Sequence, residues 1–102
     1  MSDVIELSNY IAGNWQPSLC KHWIKNVSPA TGKHIANIPC SSKDDIDLAV
    51  DAAINAASEW AQLSIEERAD WLGKIADALE ERTEEIAQLE SLDTGKPITL
   101  AR

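Results

Sequence analysis

The apolar positions change their period near residue 41. Before it they come in short alternating runs broken by Pro, Gly and Asn; after it they recur at spacings of three and four, as on one helix face. The first part therefore reads as strands. Tyr10-Ile11-Ala12 runs into Gly13-Asn14, a pair that tolerates the positive φ of a tight hairpin turn, and Trp15-Gln16 leads to Pro17, which ends ladder pairing. A second strand spans residues 22–27, with Trp23, Lys25 and Val27 on one face and Ile24 on the other. Ser28-Pro29-Ala30-Thr31-Gly32 combines a Pro that presets φ with a Gly that lacks Cβ, so it predicts a corner. Residues 33–38 follow as a third strand, closed by Pro39, giving a hairpin around that corner.

The second part reads as helices with clear punctuation. Ser42 is placed to cap the first, with Asp44 and Asp45 at the positive end of its dipole. Ile46, Val50, Ala53, Ile54, Ala57 and Ala61 then form an apolar stripe, and the helix is expected to end near Gln62. Ser64-Ile65-Glu66-Glu67 has the spacing of a capping box. Ile65, Ala69, Leu72, Ile75, Ala76 and Leu79 make the expected buried face of the second helix, and Gly73 within it hints at close backbone packing. Thr83 is expected to cap a third helix, with Ile86, Leu89 and Leu92 inward, stopped by Gly95 and then Pro97. Ile98-Thr99-Leu100-Ala101-Arg102 reads as the opening turn of a fourth, with Pro97 near its first position. One turn is not stable alone, so the chain is expected to be cut rather than finished.

Charge divides at the same place as the period. Residues 41–102 hold 15 of the 17 acids and only 6 of the 9 bases, and the whole chain carries −8. Nucleic acid is not an expected partner, because phosphate binding needs clustered Lys and Arg. No membrane is expected either: there is no polybasic anchor, no apolar run near the ~20 residues of a span, and no signal-like start. The expected location is the cytoplasm. Leu, Ile and Val together number 23 of 102 and Phe is absent, so any core built by this chain alone is thin.

Candidate chemistry is sparse. Cys20 and Cys40 have no metal-ligand spacing and are expected to be free thiols; His22, two residues from Cys20, could lower its pKa only if both sit on one strand face. Cys40 is expected to be a small buried side chain. The acids from Glu80 to Glu90 are interleaved with Arg82 and fall on several faces, which points to a solvated helix surface. Trp15, Trp23, Trp60 and Trp71 lack surrounding basic residues, so they read as core and interface anchors rather than a stacking platform. No glycine-rich phosphate loop occurs.

The ordered set of segments is more specific than any one of them. Residues 10–15 (YIAGNW), 27–33 (VSPATGK), 44–53 (DDIDLAVDAA), Glu67-Arg68, 75–80 (IADALE) and 90–97 (ESLDTGKP) together resemble the amino-terminal portion of the aldehyde dehydrogenase superfamily. The resemblance covers nearly the whole chain but only the beginning of the family's. It implies an α/β fold: an amino-terminal β-hairpin arm over 1–40, associated with oligomerisation, and three to four α-helices over 41–102 that start a Rossmann-like cofactor domain. It implies oxidation of an aldehyde to a carboxylic acid with NAD, or NADP. A cysteine thiolate forms a thiohemiacetal, a glutamate activates water, and an Asn with a backbone amide holds the oxyanion. None of those residues falls in this stretch, so no catalytic or cofactor-binding residue is assigned, and Cys20 and Cys40 do not inherit the nucleophile's role. One site carries over: a monovalent cation near Asn26 and Val27, with Asp93 close by, all hard-oxygen donors.

Within the superfamily, the segment 96–102 and the spacing from Tyr10 onward look most like the branch that oxidises muconic semialdehydes in aromatic catabolism, with the betaine-aldehyde-like branch as its neighbour. The expectation is an amino-terminal fragment, inactive alone, of a homo-oligomeric enzyme, a dimer or tetramer, that acts on a small aldehyde. The alternative is a complete small acidic binding module in which a helical hairpin presents Trp60 and Trp71 to a partner.

Overall fold

Five short strands precede four helices in the computed structural model, which describes residues 3–102. The strands are β1 (Ile5–Glu6), β2 (Asn9–Ile11), β3 (Asn14–Gln16), β4 (Trp23–Val27) and β5 (His34–Pro39); the helices are α1 (Lys43–Gln62), α2 (Ile65–Glu81), α3 (Thr83–Thr94) and α4 (Ile98–Ala101). Two compact units result. One holds the described residues up to Val27 with Lys33–Ser58, the other Ser28–Gly32 with Glu59–Arg102.

In the first unit β2 and β3 form an antiparallel hairpin that pairs Tyr10 with Trp15, and the two rings meet edge to face at 4.8 Å. Its turn sits one residue earlier than Gly13-Asn14. Ala12 (φ 54°) and Gly13 (φ 80°) take the two left-handed positions, because the right-handed strand twist is matched by a turn with two positive φ values. Asn14 instead opens β3 and donates to the Ala12 carbonyl at 3.4 Å. The β4–β5 hairpin forms around the expected corner, pairing from Trp23↔Pro39 to Asn26↔Ala36 and then slipping to Val27↔His34, so that Pro39 is the last paired residue of β5 rather than a stop beyond it. No sequence pattern predicts β1: it lies parallel to β5, with Ile5 beside Ala36 and the Leu7 amide donating to the Asn37 carbonyl at 3.0 Å. Two residues of strand carry too little pattern to be legible in sequence.

The second unit is helical apart from the 28–32 corner, where the Gly32 amide donates to the Ser28 carbonyl at 2.8 Å. The capping box forms as expected: the Glu67 amide donates to Ser64 Oγ at 3.1 Å and the Ser64 amide to the Glu67 carboxylate at 3.0 Å. Thr83 does not cap α3. It is the first helical residue and its hydroxyl donates back to the Glu80 carbonyl at 2.8 Å, while Arg82 is the N-cap and makes no side-chain cap bond. The helix end is as expected, with Gly95 left-handed at φ 75° and its amide on the Ser91 carbonyl. Pro97 is the N-cap of α4 rather than its first residue.

Burial departs most from expectation. Among the described residues the buried apolar set is Ile11, Ala36 and Ala87 alone. Ile46, Val50 and Ile54 on α1, Ile65, Leu72, Ile75 and Leu79 on α2, and Ile86, Leu89 and Leu92 on α3 are all exposed. So are the four tryptophans, which therefore anchor no core within this chain. Gly73 meets nothing within 4 Å of where a Cβ would stand, so packing among the described residues does not explain it. The periodicity is right about which residues share a face; it is silent on whether this chain covers that face.

Candidate functional site

The best-organised polar group in the structure is built around Asp45, in the first turn of α1. Leu19 donates its amide to one carboxylate oxygen at 2.8 Å; the other accepts from the Ser18 hydroxyl at 2.7 Å, the Ser42 amide at 2.9 Å and the Ser42 hydroxyl at 3.2 Å. The carboxylate is buried, and these donors, the Leu19 amide foremost, then the Ser18 hydroxyl and the Ser42 amide, hold its pKa at about 2 instead of 3.8. Ser42 was expected to cap α1 through its own oxygen. The arrangement is reversed: its hydroxyl donates to Asp45, whose carboxylate reaches back to the Ser42 amide. The signal was present as Ser42-x-x-Asp45, a capping-box spacing with Asp in place of Glu.

Beside Asp45 an open concavity of about 210 Å³ lies between the β2–β3 hairpin and α1, lined by Asn9, Tyr10, Ile11 and Ala49 among others. Its neighbour, about 280 Å³, continues along Ala49, Ala52, Ala53 and Ala56. Asn9 and Ser41 close one end through reciprocal bonds at 2.9 and 3.1 Å. This groove is apolar, and its one carboxylate is consumed by four hydrogen bonds. It holds neither a nucleophile nor a base aimed at a reacting atom.

Both thiols are free, Cys20 partly buried and Cys40 exposed, so Cys40 is not the buried side chain expected of it. It follows β5, where its amide donates to the His22 carbonyl at 2.9 Å and its side chain is left outside. Among the described residues no group of three or more His, Cys, Asp or Glu is arranged to hold a metal ion. Of the cation candidates, Asn26 and Val27 stand where the β4–β5 register slips, and Asp93 stands in the last turn of α3.

The acids from Glu80 to Glu90 are exposed, as a solvated surface requires. Two carry fixed partners. Arg82 grips Glu85 through Nε at 2.8 Å and Nη2 at 2.5 Å, which lowers the Glu85 pKa. Arg102 reaches Glu84 with Nε at 3.0 Å and Nη2 at 2.9 Å, and with Gln88 it brings the Glu84 carboxyl to about 2. The second pair links Arg102, the C-cap of α4, to α3. Among the described residues no helix is long and apolar enough to cross a membrane.

Comparison with known proteins gives this scaffold a context. The profile of the aldehyde dehydrogenase family matches residues 15–102. An aldehyde dehydrogenase of Rhodospirillum rubrum is 44% identical over 90 residues, which is 88% of this chain and 18% of that protein. The 2-aminomuconic semialdehyde dehydrogenase of Mus musculus is 41% identical over 100 residues, 98% of this chain and 20% of that protein. Among solved structures, PnpE in complex with nicotinamide adenine dinucleotide superposes with a TM-score of 0.91 at 43% identity, over 94% of this chain and 20% of that one. The chain thus spans about a fifth of the length of the relatives it matches. The shared α/β architecture accompanies sequence identity along nearly all of these residues, and the chain belongs to the aldehyde dehydrogenase family.

Proposed function

We propose that this chain is the amino-terminal segment of an NAD-dependent aldehyde dehydrogenase that oxidises an aldehyde to a carboxylic acid, with the catalytic residues lying beyond Arg102. The observation that carries the reading is the likeness to PnpE with its bound dinucleotide, at 43% identity and a TM-score of 0.91. The chain's own residues are in keeping with a supporting role. Asp45 is spent on local hydrogen bonds, neither cysteine has a catalytic partner among the described contacts, and no glycine-rich loop is present to cradle a cofactor.

In this reading residues 1–40 are the strand arm and 41–102 the helical start of the cofactor domain, whose exposed apolar faces would be covered by further chain. The assembly would be a cytoplasmic homo-oligomer. A muconic-type semialdehyde is the favoured substrate, supported by the 41% identity to the mouse 2-aminomuconic semialdehyde dehydrogenase. The test is to express the gene through the sequence that follows Arg102 and assay a panel of semialdehydes and simple aldehydes with NAD+ and with NADP+. Cofactor reduction coupled to acid formation is expected; a folded product that oxidises no aldehyde with either cofactor overturns the reading.

Asn26, Val27 and Asp93 belong to the same reading as donors to a monovalent cation. Backbone and amide oxygens with one carboxylate form a hard-oxygen set, and Asp93 lies at the negative end of the α3 dipole. The full-length protein is expected to melt higher in potassium than in tetramethylammonium, and Asp93→Asn should abolish that difference. Equal melting of the parent protein in both salts refutes the site.

A further inference from the structure

No further inference is drawn: the strongest candidate, the alanine-lined apolar groove between the β2–β3 hairpin and α1, carries nothing because it is an unpartnered face and nothing in the structure shows what covers it.

Discussion

At the scale of single residues the sharpest consequence concerns Asp45. A carboxyl that titrates at about 2 in the folded chain and 3.8 when unfolded adds stability fully present above the higher value and lost as pH falls toward the lower. In the full-length protein, Asp45→Asn should lower the urea midpoint at neutral pH. It should also flatten its dependence on pH across that acid window, because the amide cannot accept from Leu19 and Ser42 through both of its terminal atoms. An unchanged acid limb in the variant would show that folding does not lower the Asp45 pKa. The same residue shows what can be read in advance. Acidity in the first turn of α1 was legible from Asp44 and Asp45, but the bond from Leu19, 26 positions away in the chain, was not. Nothing local encodes a partner supplied by a distant loop. The turn falls at Ala12-Gly13 for a related reason: Gly13-Asn14 has the better turn composition, and the strand register overrides it.

At the scale of elements the helices were the most legible part, because their signals are local. Caps, periodicity and Gly95 mark the starts of α1, α2 and α3 and the ends of α1 and α3 to within about a residue. What failed was the inference from amphipathic stripe to buried face. α1 illustrates why: one side, with Ile46, Ala49, Ala52, Ala53 and Ala56, borders the hairpin groove, whereas Val50 and Ile54 lie outside it and are open to solvent. A stripe specifies that something covers it, not that the cover lies within the same 102 residues. Gly73 belongs to this scale too. With no neighbour within 4 Å of a Cβ, Gly73→Ala should stabilise α2 by roughly 1 kcal/mol through helix propensity alone. Thermal denaturation followed by circular dichroism checks it; a destabilised variant would mean that a surface packs against this position in solution.

For the molecule as a whole, the exposure of its apolar residues is the dominant fact. Ile54 is 64% exposed, Ile65 78% and Leu72 62%, values that a self-sufficient core does not leave on its principal helix faces. The isolated 102-residue chain should therefore melt over a broad range, retaining helix without a sharp transition, because few buried contacts couple one element to the next. A steep two-state melt of the monomer would instead favour a complete acidic binding module. The sheet adds a consequence in time rather than in space. Tyr10 finds Trp15 five residues away, whereas Ile5 must find Ala36 across thirty-one. Closing the longer loop costs more entropy before any contact compensates it, so the hairpins form early and the two-residue β1 docks last. What docks last is held by least, and the Leu7 amide should exchange its hydrogen with solvent faster than the paired amides of β4 and β5. Slower exchange at Leu7 than in that hairpin would show the parallel pairing to be the more stable part of the sheet.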